Sequence, residues 1–136
     1  MVGGTIAGVG SLIVRWLGER KKRFELVTKG LVALVQELEG NRDLPRQARM
    51  QIRTDALNRA IAGDWISDGL RSALNQVDRY GRVLLSFSDC GLPTQTVDPV
   101  FKDSFLPGLE KALALARQEQ KEWQRRKWWR RPRVKP

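Results

Sequence analysis

Two stretches of this chain repeat apolar residues at alternating spacings of three and four and a third carries a stripe that weakens toward the C-terminus, which restricts the chain to amphipathic helices packed by one face. The first carries Phe24, Val27, Leu31, Leu34 and Leu38, widened by Val35. The next clear stripe is Leu70, Ala73, Val77, Tyr80, Leu84 and Phe87, flanked by Leu74 and Val83, and the last is Leu109, Ala112, Leu113, Ala116, Gln120 and Trp123. No stretch alternates with the period of two that a half-buried strand requires. The expected fold is therefore all-α, an antiparallel bundle of about four helices, the first continuing from an N-terminal apolar segment.

The boundaries of these helices follow from local signals. Gly40-Asn41 resembles a C-cap for the first helix. Asp43 and Pro45 would start a second helix carrying Ile52, Ala56, Leu57, Ala60 and Ile61, with Arg46, Arg49, Arg53 and Arg59 on its outer face. Those arginines read as a solvated face, because Asp55 and Asp64 are nearby. Ser67-Asp68 offers an N-cap to the third helix, and residues 90–97 read as a loop closed by Asp98-Pro99 as N-cap and first helical residue. A short turn with Val100, Phe101, Phe105 and Leu106 inward is expected to break at Pro107-Gly108 before the last helix.

Charge is distributed unevenly along this framework. The chain has 136 residues, Lys+Arg 25 against Asp+Glu 15, and a formal net charge of +10. Residues 1–29 carry six Lys/Arg and two Glu, residues 30–120 eleven basic and twelve acidic residues, and residues 121–136 eight basic and one acidic. The body is thus neutral and the excess sits at the two ends. Most of the tryptophan is there too, at Trp16, Trp123, Trp128 and Trp129.

Residues 1–14 carry no charged side chain, and allowing Arg15 to snorkel extends the apolar run to residue 18. That length is at the lower edge for a membrane span and is compatible with a span, a half-inserted anchor or a buried core helix. Arg20, Lys21, Lys22 and Arg23 follow at once, an asymmetry that places the N-terminus outside and the bulk of the chain in the cytoplasm. A glycine-rich helix of this kind is poor in water and tolerable in lipid. Gly4 and Gly8, with Ala7 and Ser11, would form a small-residue face for helix packing in the membrane. The expectation is a single-pass transmembrane helix of the inner membrane, dividing the chain into an anchor (1–18), a helical bundle (19–120) and a basic Trp-rich tail (121–136).

In an up-down bundle the last helix returns to the level at which the first leaves the apolar segment. This would gather Arg15, Trp16, Arg20, Lys21, Lys22 and Arg23 with Trp123, Arg125, Arg126, Lys127, Trp128, Trp129, Arg130 and Arg131 into one collar suited to anionic lipid headgroups. Arginine interleaved with tryptophan also suits nucleic acid, although the neutral body supplies no supporting groove.

Catalysis has little to draw on. The sequence holds no histidine and one cysteine, Cys90, which sits in a Gly/Pro-containing loop. Without an imidazole there is neither the commonest general base nor most zinc patterns, and a lone thiol with no activating partner is an inert one. Gly8-Val9-Gly10 lacks the third glycine of a dinucleotide fingerprint, and no phosphate-binding loop occurs. Glu37 and Glu39 read as helix surface and capping. No cofactor or metal is expected.

The order of parts is similar to that of uncharacterised bacterial single-span proteins with a small cytoplasmic helical domain. The residues that carry this are the basic stop, the run Gln36-Glu37-Leu38-Glu39-Gly40-Asn41-Arg42, the run Ile52-Arg53-Thr54-Asp55-Ala56-Leu57, and Leu74 and Tyr80. Leu57 departs from the pattern, which has an aromatic there. The resemblance covers residues 5–88 and implies neither a catalytic residue nor a ligand. Together these features point to a membrane-anchored structural or interaction subunit with a protein partner or self-association, and leave open a holin-like lysis protein or a nucleic-acid-binding bundle.

Overall fold

The computed structural model describes the backbone of residues 2–48 and 51–126 and, apart from positions 2–11, 47, 88 and 94, their side chains. Five α-helices follow in order, α1 (Val2–Arg42), α2 (Asp55–Ala62), α3 (Asp68–Asp89), α4 (Thr94–Val100) and α5 (Leu106–Arg125), with a 3-10 turn at Arg46–Ala48. A π-helical turn, Phe101–Phe105, joins α4 to α5, so these two form one rod and the architecture is an all-α bundle of four rods. α5 packs along both α1 and α3, and α2 bridges α1 and α3.

The stripes read from the sequence form the core. Val27, Leu31, Leu34 and Leu38 of α1, Leu70, Leu74, Val77 and Leu84 of α3, and Leu109, Leu113 and Ala116 of α5 are buried in a single cluster. Ile52, Leu57, Ala60 and Ile66 close it from the α2 side, and Phe101 and Phe105 from the π-helical turn. Tyr80 and Phe87 pack at its edge, and Val83 faces outward.

The transmembrane reading does not survive. Among the described residues no helix is long and apolar enough to cross a membrane. The physical reason is length: the uncharged residues of α1 end at Arg15, so its apolar part rises only about 20 Å against a hydrocarbon thickness of about 30 Å. The helix then runs straight on through Glu19 and the cations at 20–23. The single-pass transmembrane helix, the inner-membrane location with an external N-terminus and the holin-like alternative all required that span and lose their premise. Residues 2–18 are instead the first part of one continuous helix of 41 residues.

Local chemistry accounts for the other departures. α1 passes through Gly40 and Asn41 because Asn41 is a tether and not a cap. Its buried side chain donates from Nδ2 to the carbonyl of Arg53 at 2.7 Å and accepts from the Arg53 amide at 3.0 Å. That pair of bonds ties the segment before α2 to α1, and α2 begins only at Asp55, not near Pro45. The N-terminal amides of α2 are satisfied from another helix: Ala56 and Leu57 donate to the two carboxylate oxygens of Glu37 at 3.0 and 2.8 Å. At the opposite end the Arg71 guanidinium of α3 donates to the carbonyls of Ile61 and Gly63, each at 2.7 Å. An eight-residue helix is too short to persist alone, and here an anion closes its N-terminus and a cation its C-terminus, matching the helix dipole.

Ser67 caps α3 as expected, accepting from the Leu70 amide at 3.2 Å, and its own amide donates to Glu119 of α5. α4 starts at Thr94, four residues before the expected cap, because Asp98 is engaged elsewhere, in an ion pair with Arg46 at 2.6 Å. The expected break at Pro107 is absent. In the wide turn that precedes it Leu106 donates five residues back to Phe101, and such a turn can carry a following residue that has no N–H.

Trp65, which precedes α3, lies across α1 at Gly30. A methyl at Gly30 would stand 2.8 Å from the indole ring, whereas one at Gly40 would meet nothing within 4 Å. Opposite outcomes are expected for the same substitution. Gly30→Ala lowers stability by about 1–2 kcal/mol, overpacking outweighing the gain in helix propensity, and Gly40→Ala leaves it unchanged or raises it by up to about 1 kcal/mol. Urea denaturation midpoints measure both. Equal midpoint shifts would mean that the indole does not rest on α1.

Candidate functional site

Among the described residues, Leu12, Ile13, Val14 and Trp16 are exposed on α1 where it leaves the bundle, beside a run of cations at 20–23. α1 is about 60 Å long, yet the first of its described side chains to be fully buried is Val27. α5 comes back alongside it and ends at Arg125, and the Trp123 ring of α5 packs on Phe24 of α1 with centroids 6.2 Å apart and planes tilted by 53°. The fourth rod therefore returns to the level of residues 20–24, and two basic segments separated by a hundred positions in sequence meet at this end.

Of the expected collar, Arg15, Trp16, Arg20, Lys21, Lys22 and Arg23 lie on α1, and Trp123, Arg125 and Arg126 at the end of α5. Lys127, Trp128, Trp129, Arg130 and Arg131 lie outside the described residues. Gly4, Ala7, Gly8 and Ser11 fall on the α1 backbone, but their side chains are outside those described, so their packing face is not placed.

Within the collar, each described tryptophan is covered by a guanidinium. The Arg20 group sits over the Trp16 ring at 4.7 Å from its centroid, and that of Arg126 over Trp123 at 5.2 Å. Such stacking keeps the cations aligned with the aromatic faces and occupies one face of each ring. Arg23 also faces Asp64 at 3.7 Å, a pair exposed enough to contribute little to stability. Above the collar Leu12 is 65% exposed, Ile13 52%, Val14 69% and Trp16 47%. Large apolar side chains exposed together on a polar molecule point to an interaction site.

A second feature escaped the sequence reading. A groove of about 360 Å³ runs between α1 and α2, lined by Leu26, Lys29, Gly30, Ala33, Ala56, Arg59 and Trp65. It continues into a more polar hollow of about 650 Å³ that includes Glu37, Asn41, Arg53 and Asp55. The polar groups that a ligand would use there are engaged: Glu37 holds α2 and Asn41 holds residue 53. Neither Trp65 on Gly30 nor Glu37 beneath α2 has a local sequence signal, because each acts on an element distant in the chain.

Chemically, the gathered end offers cations, aromatic faces and bare aliphatic side chains. Cys90 is exposed past the far end of α3. Among the described residues no group of three His, Cys, Asp or Glu side chains could hold a metal ion. Among the described residues the one clear shift in protonation lies outside the collar. Asp43, hydrogen-bonded to Arg42 at 3.0 Å, raises the guanidinium further above its ordinary range and keeps it charged.

Comparison with protein families, curated proteins and solved structures finds no match to this chain. The resemblance to single-span bacterial proteins thus gains no support from these searches, and its span is contradicted by the character of α1.

Proposed function

We propose that this protein is a non-catalytic interaction subunit, a helical bundle that presents a projecting apolar helix with a basic, aromatic base to a protein partner. The observation that carries this reading is the exposure of Leu12, Ile13, Val14 and Trp16 on a part of α1 against which no described element packs. Five glycines occur between residues 3 and 18, and an unsupported helix of that composition is unfavourable in water. A partner that buries the aliphatic side chains compensates for this, and the collar beneath favours a partner bearing acidic groups.

A photo-crosslinking amino acid in place of Leu12 tests the proposal in the full chain expressed in cells. The expected product is a discrete protein–protein adduct, lost when the same residue is placed at the solvent-facing position Gln76 of α3. If Leu12 yields no protein adduct, the proposal fails.

Nucleic acid is a second reading, favoured by the meeting of the two basic segments at one end. The guanidinia already stacked on Trp16 and Trp123 weigh against it, since they occupy ring faces on which bases would stack. Filter binding of single-stranded RNA to the full chain and to Arg125→Glu/Arg126→Glu measures it directly. Equal retention by the two proteins removes this reading.

A further inference from the structure

The groove between α1 and α2 differs from the hollow it adjoins in carrying charge of one sign only. Leu26, Gly30, Ala33, Ala56 and Trp65 give it an apolar lining, to which Lys29 of α1 and Arg59 of α2 add two cations and no residue adds an acid. Neither cation enters an ion pair or a side-chain hydrogen bond with any described residue. Glu25 and Asp55, each four residues before one of them, form no ion pair with it. In the adjoining hollow, by contrast, Arg53 and Arg59 are balanced by Glu37 and Asp55. Glu37 and Asn41 there are committed to α2 and to residue 53, whereas the two cations of the groove are committed to nothing.

The apolar lining is also preformed. Trp65 is seated against two glycines: a methyl at Gly30 would stand 2.8 Å from the benzene side of the indole, and one at Gly63 would overlap its pyrrole side. The indole is thus a fixed wall, and beside it Gly30, Ala33 and Ala56 carry at most a methyl, which keeps the floor low. A volume of about 360 Å³ with a mainly apolar lining and few polar groups is that of a small-ligand site. A flat ring suits an aromatic wall above a low floor, and would cover Leu26, which is 61% exposed. A carboxylate suits the planar fork of Arg59 and the point charge of Lys29. We propose that this groove binds a small aryl carboxylate, with its ring against Trp65 over Gly30 and Ala33 and its carboxylate held by Lys29 and Arg59. The site is separate from the projecting end of α1 and stands apart from the reading of that end as a partner surface.

Isothermal titration calorimetry of the full chain with 1-naphthoate, and with 1-naphthamide as its uncharged counterpart, tests the site. The carboxylate is expected to fill one site with a Kd below about 1 mM, and the amide to bind about tenfold more weakly or worse. Ala33→Leu fills the groove from its floor, and Lys29→Gln/Arg59→Gln removes both cations; each is expected to weaken 1-naphthoate by about tenfold or more. All three positions are exposed, so the urea midpoints of both variants should match that of the parent, and a loss of binding is not a loss of fold. Lys22→Gln/Arg125→Gln, which takes two cations from the collar instead, should leave the Kd unchanged.

A parent that takes up no 1-naphthoate, an amide that binds as tightly as the carboxylate, or a Kd unmoved by either groove variant overturns the inference. A collar variant that weakens binding as much as Lys29→Gln/Arg59→Gln does would place the anion on the collar, and ends the proposal as well.

Discussion

Replacing Phe105 with alanine is expected to lower the stability of the fold by about 3–5 kcal/mol, the largest effect of any single truncation considered. Phe105 lies in the π-helical turn, is fully buried, and meets Phe101 with ring centroids 5.4 Å apart. Its ring edge also faces α3 at Gly81, where even a methyl would stand only 3.7 Å away. Two rigid rods, α3 and the α4–α5 rod, enclose the ring, so the space left by truncation cannot collapse and the lost contacts are not recovered. Phe105→Leu, which keeps most of the volume, is expected to cost about half as much or less. Lys102→Ala in the same turn is exposed and should fall within about 0.5 kcal/mol of the parent. Urea denaturation followed by circular dichroism gives all three values. A Phe105→Ala midpoint close to that of Lys102→Ala would mean that the turn does not pack as described.

The second large effect concerns α2. Glu37→Ala is expected to cost about 2–3 kcal/mol, because the amides of Ala56 and Leu57 both lose a charged acceptor in a partly buried setting. Glu37→Gln keeps one carbonyl acceptor and should recover about half of that loss. Arg71→Ala strips the carbonyls of Ile61 and Gly63 at the other end and should cost a similar amount. The two losses should not add: once one clamp is gone and the eight-residue helix frays, the other clamp has less to hold, so the double variant falls short of the sum. Amide hydrogen exchange over residues 55–62 gives the same comparison locally. Unchanged protection there in Glu37→Ala would show that tertiary burial of Leu57 and Ala60 alone maintains α2.

How these two sites relate to the sequence differs instructively. Phe105 was legible as an inward residue because apolar periodicity is a local property, and so were the stripes of α1, α3 and α5. The π-helical turn around it was not, since Pro107 by itself predicts a break and only packing of Phe101 and Phe105 on the core favours the wider, continuous path. Glu37 was legible only as an acidic residue on a helix surface. Its partners are nineteen and twenty positions away, and their location depends on Asn41 holding residue 53 in place.

The same division runs through the candidate functional site. Clustering of charge and tryptophan at the two ends of the chain was visible in composition alone, and Trp123 resting on Phe24 places the described part of the second segment beside the first. The apolar N-terminal run, however, reads in sequence as a membrane span. Charge counting finds where an apolar run stops, but not whether the helix stops with it. α1 continues through Arg15 and the cations at 20–23, so the run is the outer part of one long helix.

By itself, then, the sequence determined the helical class, the faces that are buried and the segments that hold the excess charge, because each depends on periodicity and composition within a few turns. Tertiary structure decided where α2 begins, which groups close its ends, how Trp65 comes to lie on Gly30, and that α5 stops short of the tip of α1. Each of these depends on atoms that the chain separates by tens of residues and that only the packing of rods of unequal length brings together or leaves apart.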